Sequence, residues 1–131
     1  MAHETLRIVI ADNESIIRMD LREMLEEAGH EIVGEAIDGR KAVELTRQHR
    51  PDLVIMDIKM PQMDGIETTA EIRKKYNVPV ILITAKSEDY DKILGLNVGA
   101  DDYITKPFNP VEVVARSKSQ LRRYLELGKA P

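Results

Sequence analysis

Cysteine is absent from the 131 residues, which excludes disulfides and thiolate metal sites. No apolar run approaches the roughly 20 residues that cross a bilayer, and the N-terminus has no signal-peptide core. Histidine is scarce: His3, His30 and His49 are scattered, whereas metal sites need clustered donors. A glycine-rich phosphate loop is missing, and so are repeats, low-complexity tracts and Pro/Gly/Ser linkers. Surplus positive charge is missing too. The formal charge of -4 argues against a general grip on nucleic acid or on an anionic membrane surface. What remains, 43% hydrophobic and 32% charged, is ordinary globular composition. The expectation is one soluble, cytoplasmic domain over 1–131, with its core over about 6–125 and no effector module.

Short apolar runs alternate with amphipathic stretches along the chain. Leu6–Ala11 is strand-like, and Ile17, Leu21, Met24, Leu25 and Ala28 recur at helical spacing over Glu14–Ala28, with Gly29 as the stop. Glu31–Ile37 is a second strand, and Asp38 caps a helix over Gly39–His49. Leu53–Met56 is the third strand, followed by a helix over Gly65–Tyr76; Val78–Ile83 is the fourth, followed by a helix over Ser87–Asn97 closed by Gly99. Asp102–Thr105 is a short fifth strand. Asn109 and Pro110 then open a last helix, to about Leu125, as cap and first helical residue. Five such alternations predict a parallel sheet with helices on both faces, and ligands of such sheets bind beyond the carboxyl ends of the strands.

Those ends carry the chemistry. Asp12 and Asn13 follow the first strand, Asp57 the third, Thr84 the fourth and Lys106 the fifth. Each residue alone has an ordinary explanation as a helix cap, a strand-former or a surface charge. Together they form a set suited to phosphate. Two carboxylates repel unless a cation lies between them, and hard oxygen donors suit Mg²⁺ (or Mn²⁺). A lysine and a threonine hydroxyl can engage phosphoryl oxygens. With no histidine or cysteine at hand, Asp57 on a central strand is the candidate nucleophile.

The motifs that hold these residues are IADNE around Asp12, IMDIKMPQMDG around Asp57, LITAK around Thr84 and GADDYITKPF around Lys106. Together they resemble the receiver domain of two-component response regulators, from about Leu6 to Leu125. The resemblance implies an α/β, flavodoxin-like, doubly wound sheet of five parallel strands in the order 2-1-3-4-5, with five helices; the same fold type is a standard illustration of the strand-end rule. It implies that Asp57 takes a phosphoryl group from a histidine kinase or phosphotransfer protein. Asp12, Asp57 and the backbone carbonyl of Lys59 would hold the metal, Lys106 would pair with the phosphoryl group, and the Lys106–Pro107 bond would be cis. Thr84 and Tyr103 would shift together and remodel the face of the fourth helix, fifth strand and fifth helix, the logic of a phosphorylation switch.

Asn13 departs from the pattern, because the family usually has two adjacent acids there. An amide oxygen can ligate a metal but adds no charge, which implies weaker metal binding; a plain helix-cap role for Asn13 stays open. The front half resembles receivers attached to RNA-binding antitermination modules, and the back half the winged-helix DNA-binding class. In the latter, dimers form through salt bridges, here Lys92 with Glu112, Asp102 with Arg116 and Asp101 with Arg123. Ser117 stands where that pattern expects an apolar residue. The reading is a regulatory domain, not an enzyme, acting in transcription control, with a stand-alone phosphorelay or binding role as the alternative. A phosphatase with an aspartyl nucleophile is the other alternative; it would need a general acid at Lys59.

Overall fold

Alternate residues of the apolar runs turn to opposite faces of one sheet, as a strand period of two requires. The computed structural model describes residues 5–85 and 98–126, the side chains of 121 and 123–126 excepted. Five strands form: β1 (Arg7–Ala11), β2 (Glu31–Ala36), β3 (Leu53–Asp57), β4 (Val80–Ala85) and β5 (Asp102–Lys106). All pairings are parallel, in the order β2-β1-β3-β4-β5, as expected. Ile8, Ile10, Leu53, Ile55, Ile81 and Ile83 pack on one side with Leu21 and Leu25 of α1 (Ser15–Glu27) and Val113 of the C-terminal helix (Pro110–Glu126). Val9, Ala11, Val54, Met56, Val80 and Leu82 pack on the other with Ala42 and Leu45 of α2 (Gly39–His49) and Ile72 of α3 (Gly65–Arg73). Burying each Ile or Leu contributes roughly 1.5–3 kcal/mol, so a one-residue slip of any central strand is heavily disfavoured. The expected helix over 87–97 lies outside the described residues, which contain four helices.

The strand bounds differ from expectation where backbone hydrogen bonds redirect the chain. Leu6 leaves β1 because its N–H donates to Nδ1 of buried His30 at 3.1 Å. β4 begins at Val80, after Pro79, which has no N–H for the ladder. It runs on through Thr84 to Ala85, and β3 and β5 likewise run on to include Asp57 and Lys106. α3 stops at Arg73 instead of Tyr76, since the Lys74 and Lys75 amides bond only three residues back. Asp38 and Asn109 cap their helices as expected, each accepting at 2.9 Å from a backbone N–H three residues on. Ser117 is fully buried, and its hydroxyl donates to the Val113 carbonyl at 2.8 Å, so its polar atom is satisfied inside its own helix.

The Asp64–Gly65 pair, which reads as a turn, does two other things. Asp64 caps α3 in a reciprocal box with Glu67, at 2.8 and 3.2 Å. Gly65 lets the helix start lie against the end of β3: a Cβ there would sit 2.5 Å from the Asp57 carbonyl oxygen and 2.8 Å from the Ile58 Cα. The left-handed residue of the loop is Gln62, at φ 69°, in a turn closed by the Met63 N–H on the Pro61 carbonyl at 2.8 Å. A side chain held there costs about 1–2 kcal/mol. Gly65→Ala is therefore expected to destabilise the domain by about 1–3 kcal/mol, since only backbone can give way. Gln62→Gly is expected to be neutral or stabilising by up to about 1 kcal/mol. Urea unfolding of the two variants checks this, and the reverse ranking would contradict it.

Candidate functional site

The carboxyl ends of β1, β3, β4 and β5 bring together the residues singled out in the sequence. Asp12, just past β1, is fully buried. Its backbone N–H donates to the Ala36 carbonyl of β2 at 3.0 Å, and its Oδ1 accepts from the Glu14 N–H at 2.8 Å, turning the chain into α1. Asp57 closes β3 and is 4% exposed. The N–H of Ile58 donates to the Ile83 carbonyl at 3.0 Å and fixes the strand just beyond it. Lys106 closes β5, with its ammonium 3.4 Å from Asp57 Oδ2 and 3.7 Å from Asp12 Oδ2. Thr84 lies buried near the end of β4, its hydroxyl at a long 3.4 Å from the Ala85 carbonyl. The Lys106–Pro107 peptide is cis, as expected.

Burial dominates the electrostatics. It pushes the Asp57 carboxyl from an ordinary value of 3.8 up to about 6, with the Asp12 charge adding to the rise. Lys106 and the backbone N–H of Lys59 pull in the opposite direction without cancelling it. Asp12 is raised too, again chiefly by burial, against the Glu14 N–H and Lys106. Asp12 Oδ2 has no hydrogen-bond partner despite its complete burial. A buried carboxylate oxygen without a donor, beside a second acid held above its normal range, fits a hard cation. No group of three or more acids and histidines able to hold a metal occurs among the described residues. Asn13 supplies an exposed amide at the neighbouring position. It does not cap α1, whose cap position is Glu14 and lacks a side-chain cap bond.

Two residues of the site were not singled out in the sequence. Glu14 places Oε1 3.9 Å from the Lys106 ammonium. Arg18 donates to the Asp12 carbonyl at 2.6 Å and pairs with Glu35 at 3.1 Å, clamping α1 onto the ends of β1 and β2. Their spacing of four on one helix face, straight after Asp12, is the signal that marks them.

The expected switch and dimer residues are placed as follows. Tyr103 is half-buried on β5 against the core beneath α2 and α3. Arg116 donates to both oxygens of Asp102 at 2.9 Å and pairs with Glu112 at 3.1 Å, all within one chain. Asp101 is committed elsewhere: it pairs with Arg73 and accepts the Val80 N–H at 2.8 Å, tying α3 to the start of β4. Lys92 and the side chain of Arg123 lie outside the described residues.

A family model, that of the response regulator receiver domain, matches residues 8–118. Among solved structures, the receiver domain of the response regulator NarL from Mycobacterium tuberculosis is 31% identical, with a TM-score of 0.87 over 92% of this chain and 98% of that one. The receiver domain of AraT from Geobacillus stearothermophilus is 32% identical, with a TM-score of 0.84 over 94% and 98%. The receiver domain of the Francisella response regulator 1452 is 33% identical, with a TM-score of 0.83 over 91% and 98%.

The raised Asp57 carboxyl sets a pH dependence. The folded protein holds this proton to about pH 6, whereas the unfolded chain releases it near 3.8, so stability falls as pH rises between those values. Above that window the cost is fully present, and solvent at the rim screens it to the order of 1–2 kcal/mol. In EDTA at pH 7.5, Asp57→Asn is expected to be more stable than the parent by that amount, with the gain vanishing near pH 4. Thermal unfolding across pH measures it; a variant less stable at pH 7.5 would contradict the assignment.

Proposed function

This chain belongs to the response regulator receiver domain family, and from that premise we propose that Asp57 is its phosphoacceptor, with Asp12, Thr84 and Lys106 completing the site. Receiver domains are regulatory; as a class they use Mg²⁺ for phosphorylation and interact with histidine kinases or phosphotransfer proteins. One observation carries the reading here: the Lys106 ammonium lies between Asp57 and Asp12, at 3.4 and 3.7 Å, on the rim where three strands end.

In the proposed step, an Asp57 oxygen forms the new O–P bond as the N–P bond of a partner's phosphohistidine breaks. The electron pair stays on the imidazole nitrogen, which recovers a proton from solvent. The Lys106 ammonium neutralises charge on the phosphoryl oxygens, and the Thr84 hydroxyl donates to another of them. Asp12, Asp57 and the Lys59 backbone carbonyl are the groups to hold Mg²⁺ (or Mn²⁺), with the Asn13 amide as an uncharged member. Bound there, the cation supplies further charge neutralisation. Lys59, exposed two residues after Asp57, stands where an aspartyl-nucleophile phosphatase would need an acid, which favours the regulatory role.

The new dianion then draws Thr84 inward and Tyr103 after it, biasing the face of β5 and the C-terminal helix. On that face, a homodimer would exchange the internal Asp102–Arg116–Glu112 cluster for pairs between subunits, with Lys92 and Arg123 as further contributors. Asp101 would first have to leave Arg73. We read the 131 residues as one cytoplasmic receiver domain that controls transcription through a partner or a dimer, without touching nucleic acid itself. No helix among the described residues is long and apolar enough to cross a membrane.

Incubation with acetyl phosphate and MgCl₂ is expected to add one phosphoryl group, absent in Asp57→Asn and read by intact mass. Uptake that survives this substitution would overturn the assignment. Asn13→Asp is expected to tighten Mg²⁺ binding by about five-fold or more, from the ~1 kcal/mol of an added charge at about 4 Å in water. An unchanged Mg²⁺ titration would remove Asn13 from the metal site.

A further inference from the structure

Lys106 has three carboxylates within 4 Å among the described residues: Asp57 at 3.4 Å, Asp12 at 3.7 Å and Glu14 at 3.9 Å. The first two are buried, and the third has a side chain 58% exposed. Each separation exceeds the 2.7–2.9 Å of a full charge-assisted hydrogen bond, so the ammonium is shared among the three acids. Glu14 holds the cap position of α1 yet makes no side-chain cap bond, which leaves its carboxylate available to the site. Arg18, the nearest cation on the same helix face, spends its guanidinium on Glu35 and on the Asp12 carbonyl. Asp12 Oδ2 meanwhile stays buried without a hydrogen-bond donor.

We propose that Glu14 is a positioning residue of this site: it carries the negative charge that Asn13 lacks and holds the Lys106 ammonium on the solvent side of Asp12 and Asp57. The inference rests on the phosphoacceptor reading of Asp57. Without Glu14, an ammonium facing only two buried acids moves down onto them and makes short hydrogen bonds that an entering cation must break. With Glu14, the ammonium is drawn outward and both buried acids keep oxygens free for the cation. The charge count of the rim is then that of a two-acid motif, with its second charge displaced by one residue from Asn13 to Glu14.

The test is a double-mutant cycle on Mg²⁺ affinity, measured by calorimetry with MgCl₂ and no phosphodonor. Glu14→Gln is expected to weaken Mg²⁺ binding by about two- to five-fold, the scale of an exposed charge pair. In a Lys106→Met background the same substitution is expected to leave only the small residue of a screened charge, because its lever is gone. Equal weakening in both backgrounds would overturn a role through Lys106. Unchanged affinity in Glu14→Gln, with Asp57 still taking phosphoryl from acetyl phosphate, would overturn the proposal alone. A parent chain that binds neither Mg²⁺ nor phosphoryl would overturn the site reading and this inference with it.

Discussion

Two carboxylates are buried side by side at the end of one sheet, and the Lys106 ammonium only partly compensates them. Asp12 and Asp57 each lose hydration, and the Asp12 charge adds to the rise at Asp57, which is held near 6 instead of 3.8. A protein selected for stability alone would put apolar groups at these positions. The arrangement makes sense as a site that is incomplete until a cation and a phosphoryl group arrive, and whose energy therefore depends strongly on both.

The scaffold makes that arrangement tolerable. Leu53 and Ile55 on one face and Val54 and Met56 on the other pack into the two cores, so Asp57 cannot escape by moving its strand. Parallel order puts the ends of β1, β3 and β5 on one rim, so Asp12, Asp57 and Lys106 meet although they are far apart in the chain. Gly65 allows α3 to begin directly against the Asp57 backbone, and Arg18 pins the Asp12 carbonyl to α1. The face proposed as output starts from a closed state, since Asp102, Glu112 and Arg116 already satisfy one another within the chain.

Much of this was legible in the sequence because it depends on period and punctuation. Apolar alternation locates the strands, Asp38, Asn109 and Pro110 mark helix starts, and polar residues at the ends of apolar runs mark the rim. What was not legible depends on contacts between distant segments. Leu6 drops out of β1 because of His30, twenty-four residues on. Asp101 reads as a dimer-face charge, yet it binds Arg73 from another element of its own chain. The Asp64–Gly65 pair has the composition of a turn, but the torsional demand falls on Gln62, and Gly65 answers a steric one. Glu14 reads as an ordinary helix-start residue, and only the fold brings its carboxylate within 3.9 Å of the Lys106 ammonium.

The account turns on Asp57 forming an acyl phosphate. Such a group is reduced by borohydride to homoserine, which marks the residue permanently. After treatment with acetyl phosphate, MgCl₂ and then borohydride, peptide mapping is expected to find homoserine at position 57 and nowhere else. Homoserine at another aspartate, or none despite measured phosphoryl uptake, would contradict the account.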